Sequence, residues 1–148
     1  MPIPSLDIHG LLPHGVHDCT LSEIDAAFGW NPHRKNLFQD FKSFLFGEIR
    51  PVFSEPVYCD GSFVTDKEQP ADIDVILDLR AASDDIQWQG YKFMRQHQSR
   101  IKTQYRVDFW INIPANSDFC TFFQYIGAKT AQFKGLNPKH HKGILRLV

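Results

Sequence analysis

Cysteine is scarce in this chain, long apolar runs are missing, and neither sign of charge predominates. Three cysteines, Cys19, Cys59 and Cys120, stand far apart with no Cys-x-x-Cys pair. That argues against a disulfide framework and suits a reducing compartment. The formal net charge of the 148 residues is −1, so the molecule as a whole is no electrostatic glove for nucleic acid, and any basic patch is local. No apolar stretch approaches the roughly 20 residues that span a bilayer. The opening MPIPSLDIHG lacks the basic-then-apolar pattern of a secretory signal. No repeat, low-complexity segment or linker divides the chain. The expectation is one cytoplasmic domain over residues 1–148, long enough to bury a real core, with no membrane partner.

What is present is a regular alternation of helix and strand signals. Residues 1–20, rich in Pro, Gly and His, read as an extended arm. Thr20 and Glu23 have capping-box spacing, which predicts a short helix to about Phe28. Asn31 before Pro32 predicts a second helix start. From there Leu37, Phe38, Phe41, Phe44, Leu45 and Ile49 recur at helical spacing up to Pro51. Strands are predicted over 56–60 and 72–79, a helix over 84–101, and a third strand in YRVDFWINI. A last helix is predicted over 117–126. Residues 127–148 read as a basic tail closing with a short strand.

The chemistry concentrates in YCDGSFVTDKEQPADIDVILDL, residues 58–79. A side-chain period of two puts Asp72 and Asp74 on one strand face, opposite Ile73, Val75 and Leu77. Two carboxylates that close repel unless a cation lies between them. Oxygen-only ligands suit Mg²⁺ or Mn²⁺, which bind protein carboxylates and substrate phosphates together. In the third strand Asp108 alternates with Val107 and Phe109, which makes it the candidate third carboxylate of a two-metal site. Gly61 and Ser62 follow the first strand: glycine admits close approach of a phosphate, and the serine hydroxyl adds a donor.

With these residues quoted, the chain resembles the minimal nucleotidyltransferases of the DNA polymerase β-like nucleotidyltransferase superfamily. The pattern is Gly-Ser after a strand, about ten residues, Asp-x-Asp in the next strand, and an Asp in a later one. The resemblance covers about residues 35–115. It implies an α+β fold, a small mixed β-sheet with helices packed on one face. It also implies that Asp72 and Asp74 hold two metal ions, that Asp108 holds the one activating the acceptor, and that Gly61 and Ser62 grip nucleotide phosphates. Many such proteins are antitoxin-like partners in bacterial two-gene modules. The expected ligand is an NTP, ATP foremost, and the acceptor a cognate toxin protein, an RNA or a small molecule.

Phe63, Val64 and Thr65 replace the small residue and arginine that often follow Gly-Ser in that family. Lys67 supplies a charge there without arginine's bidentate geometry, and Lys129 is a second candidate for the phosphates. This departure motivates a rival reading, a catalytically inactive interaction module that acts by binding a partner protein. Two further candidates are zinc ligation by His9, His14, His17 and Asp18 and base stacking on Trp88 or Trp110.

Overall fold

The computed structural model describes residues 3–114 and 124–148. Helix α1 (Leu21–Phe28) starts at the expected capping box. The Thr20 hydroxyl accepts from the Glu23 amide at 3.2 Å, and the Glu23 carboxylate accepts from the Thr20 amide at 3.0 Å. Helix α2 (Pro32–Phe44) starts where the Asn31 side chain accepts from the Arg34 amide at 2.8 Å. It runs into one π-helical turn, Leu45–Ile49, before Pro51.

Strands β1 (Gly15–Cys19), β2 (Val57–Asp60), β3 (Ile73–Asp78), β4 (Val107–Asn112) and β5 (Gly143–Leu147) form one mixed sheet. Their order is β1-β5-β2-β3-β4. The outer pairs, β1 with β5 and β3 with β4, are parallel, and β2 is antiparallel to both its neighbours. Helix α3 (Asp84–Tyr105) makes the crossover between β3 and β4. It runs four residues past the expected end, because Ile101 is buried and Tyr105 meets Phe44 at 5.6 Å before Arg106 closes the helix in the left-handed conformation. The fold is α+β, as expected from the resemblance.

Alternation along the strands separates the two faces. Val57, Cys59, Ile73, Val75, Leu77, Val107, Phe109 and Ile111 join the inner sides of α1, α2 and α3 in one hydrophobic core. The opposite face carries a small cluster of Tyr58, Ile76 and Ile144, with Trp110 against it. Gly90 of α3 lets the crossover helix sit close on β3, since a Cβ there would lie 2.3 Å from the Leu79 side chain. Cys19 and Cys59 are buried free thiols. Among the described residues no helix is long and apolar enough to cross a membrane.

Two segments depart from expectation. The arm over residues 1–20 contains β1, and the basic tail over 127–148 contains helix α4 (Gly127–Lys134) as well as the expected final strand. Both depend on distant partners: β1 takes its ladder from β5, and α4 buries Ala131 with Leu11 and Ile126. Of the helix expected over 117–126, residues 117–123 lie outside the described residues, and 124–126 are a turn leading into α4.

Arg34 ties the helical layer to the loop after β2. It is completely buried on the apolar stripe of α2, where an unpaired charge would be very costly. All five of its N–H donors have carbonyl acceptors. Nε donates to Lys67, Nη1 to Phe28 and Phe63, and Nη2 to Thr65 and Lys67, at 2.6–3.0 Å. Burial lowers its pKa to about 10, so it stays charged at neutral pH.

Arg34→Met leaves these carbonyls without their donor, at about 1–3 kcal/mol for each that water cannot reach. The expected loss is about 3 kcal/mol or more, a fall in Tm of roughly 6–12 °C for a domain near this size. Circular-dichroism melting measures it, and a variant melting with wild type would show that the loop is held by other contacts.

Candidate active site

The site is built on one rung of the sheet. Asp60 ends β2 and pairs across to Asp74 of β3, and Asp74 pairs across to Asp108 of β4. All three alternate with residues of the main core, so they share the face that α1, α2 and α3 leave open. Asp72 stands two residues before Asp74 at the head of β3. Four carboxylates thus meet at one end of three adjacent strands.

Their environments differ. Burial, followed by the charges of Asp60, Asp72 and Asp108, pushes the Asp74 carboxyl from its ordinary 3.8 up to about 8, against the pull of Lys142. Asp60, 1% exposed, is raised to about 6 by burial, with Lys142 and the Gly61 amide opposing. Two lysines answer this crowding. Lys142, 5% exposed just before β5, bonds the Asp60 carboxylate. Lys102, on the last turn of α3, reaches Asp72 at 2.6 Å and Asp108 at 3.6 Å. Among the described residues, no hydrogen bond or ion pair satisfies the Asp74 carboxylate.

The Gly-Ser loop closes against this cluster. Gly61 has φ +89°, a conformation natural to glycine. A Cβ there would also lie 2.8 Å from Asp74 Oδ2, so glycine is required twice over. A short 3₁₀ turn, Ser62–Val64, follows. Arg34 holds the carbonyls of Phe63, Thr65 and Lys67, while the Thr65 hydroxyl donates to the Ser62 carbonyl at 2.7 Å. The amides of Val64, Thr65, Asp66 and Lys67 are already bonded within the protein. An anion at this loop therefore has Ser62 and the Lys67 ammonium as its principal contacts, rather than a long run of amides.

A cavity of about 810 Å³ joins the two halves. Gly61, Ser62, Lys67, Asp72, Asp74, Asp108 and Lys129, the residues singled out in the sequence, all line it. Lys129 lies inside α4, not beyond the end of a helix. Lys134 of the same helix pairs with Asp66 of the Gly-Ser loop at 2.8 Å, fastening α4 across the opening. Carboxylates face lysines across the cavity.

Asp60, and the pairing of Lys102 and Lys142 with aspartates, were not anticipated. Asp60 had a local signal, since it precedes Gly61 and has the right strand parity. The lysines had none, because each meets its aspartate through the sheet order. Trp88 and Trp110 are absent from the cavity lining; Trp88 stacks on Tyr91 at 5.8 Å and Trp110 packs on the open-face cluster. The arm histidines pair with the tail, His9 with His140 and His14 with His141, and Asp18 binds Arg146. Among the described residues, no three His, Cys, Asp or Glu side chains close on a common point as metal ligands. Lys102 is the cation now between Asp72 and Asp108.

A family model described as "Family of unknown function (DUF6932)" matches residues 4–148. No curated protein and no solved structure matches the chain.

The raised Asp74 pKa carries a sign for stability. The unfolded chain releases this proton near 3.8, whereas the folded protein keeps it to about 8. Asp74 therefore stabilises the fold fully below pH 4 and loses that contribution as pH rises through 8. Asp60 acts in the same sense, up to about pH 6. Without divalent cations, Asp74→Asn, which mimics the protonated group, should raise Tm at pH 8.5 and leave it nearly unchanged at pH 4. Equal effects at both values would mean that Asp74 is not confined with the other carboxylates.

Proposed function

We propose that this chain, which belongs to the Family of unknown function (DUF6932), is a metal-dependent nucleotidyltransferase. In this reading it moves an NMP group from an NTP to a hydroxyl on a protein, an RNA or a small molecule. The observation that carries the reading is the meeting of Asp72, Asp74 and Asp108 beside Gly61-Ser62 in one cavity whose far wall is lysine-rich.

The donor set fits Mg²⁺ or Mn²⁺: the oxygens are all carboxylate, and Asp74, unpaired among the described residues, is kept protonated at neutral pH by burial and by the neighbouring aspartates. Asp72, Asp74 and Asp108 would hold the ions, exchanging the Lys102 ammonium for them. The metal would neutralise developing charge on attacking and leaving oxygens.

The chain's own residues supply the rest. Ser62 and Lys67 hold phosphate at the Gly-Ser loop. The acceptor oxygen bonds to the α-phosphorus as the bond to the pyrophosphate oxygen breaks, and the hydroxyl proton passes to Asp108, a partly exposed carboxylate of the cluster. Lys129 and Lys134, on the facing helix, balance the charge of the departing pyrophosphate.

The second reading, an interaction module that acts by binding a partner protein, draws on a separate observation. Lys102 and Lys142 already occupy Asp72, Asp108 and Asp60, so the protein's own cations pair these carboxylates.

Incubating α-³²P-labelled NTPs and Mg²⁺ or Mn²⁺ with host lysate separates the two. Wild type should label an acceptor, and Asp74→Asn, folded by circular dichroism, should leave labelling at background. If neither labels while wild type and an Asp72→Asn, Asp74→Asn double variant capture the same partner, the binding reading replaces catalysis.

A further inference from the structure

Helix α4 presents a mixed face to the cavity. Lys129, Thr130, Phe133 and Lys134 all line it, at the three- and four-residue spacing that brings side chains onto one side of a helix. Ala131, on the other side, fills the cluster with Leu11 and Ile126. Phe133 is 85% exposed, so its ring contributes almost nothing to the core. It nonetheless stands among residues suited to polyanions.

A second ring lines the same cavity. Tyr125 is 39% exposed. It is steadied by an edge-on contact with His141 at 4.6 Å and by a backbone bridge to the same residue. One steadied and one exposed aromatic ring thus flank a wall of lysines. A bare polyphosphate has no use for such rings, whereas every nucleobase has two apolar faces that stack on them.

We propose that Phe133 and Tyr125 form a stacking site for a nucleobase, so that the ligand of this cavity is a nucleoside phosphate. The assignment rests on the phosphate-binding reading of the cavity given above. The base lies against the two rings while the phosphates run along the lysines toward the aspartates. Stacking grips any base by its faces, so this site favours nucleotides over simple phosphates without strongly selecting one base.

Calorimetric titration of the full chain with Mg²⁺-ATP and, separately, with Mg²⁺ and inorganic tripolyphosphate tests this. Phe133→Ala should weaken ATP binding roughly 10-fold or more, the scale of one stacking contact, and leave tripolyphosphate binding as in wild type. Phe133→Trp should restore ATP affinity. Unchanged ATP binding by Phe133→Ala and by Tyr125→Ala overturns the stacking site alone. So does an equal loss for both ligands, which would mark the ring as a support for α4. If wild type binds neither ligand, the phosphate reading falls, and the stacking site with it.

Discussion

Like charge confined at one end of a sheet is the constraint around which this protein is arranged. Asp60, Asp74 and Asp108 occupy one rung of β2, β3 and β4, with Asp72 just ahead of them. In water such carboxylates would separate; the strand ladders hold them together. The surrounding chain responds in three ways. Asp74 keeps its proton, Asp60 takes a buried lysine from the far end of the sequence, and Asp72 and Asp108 share Lys102. In the proposed function, a divalent cation would displace these protons and lysine contacts.

The helical layer solves a complementary problem with the opposite charge. Arg34 brings a cation into the core and neutralises it with carbonyl dipoles instead of a carboxylate. Those dipoles belong mainly to the Gly-Ser loop, so the core-facing side of the loop is fixed by α2 while its other side borders the aspartates. Gly61 sits between the two, with no room for a side chain beside Asp74. The loop is set by the core even though it lines an open cavity.

Much of this was legible locally. The caps at Thr20 and Asn31, the stripe of phenylalanines on α2 and the alternation around Asp74 and Asp108 each depend on neighbours within a few residues, and each was found where expected. The lysine candidates were harder to place. Lys129 depends on α4, whose packing onto Leu11 spans most of the chain. Trp110 has the parity of Asp108, yet lies farther along β4 among Tyr58, Ile76 and Ile144. Parity fixes the face a side chain takes but not its position along the strand.

The sequence alone determined which residues are helical or extended over most of the chain, and which face of its own strand each aspartate takes. It also placed a residue without a side chain before Ser62, while the crowding by Asp74 that requires one there came from the strand pairing. These follow from backbone periodicity and from the steric freedom of single residues. Tertiary structure alone decided that Asp60 joins the cluster with Lys142, 82 residues away, and that Lys102 answers Asp72 from a distance of 30. It also decided that five N–H groups of Arg34 would find carbonyls, and that α4 would stand opposite the aspartates. The reason is that a local pattern sets the direction in which a side chain points. Strand order and helix packing, which spend hydrophobic burial across the whole chain, decide what it meets there.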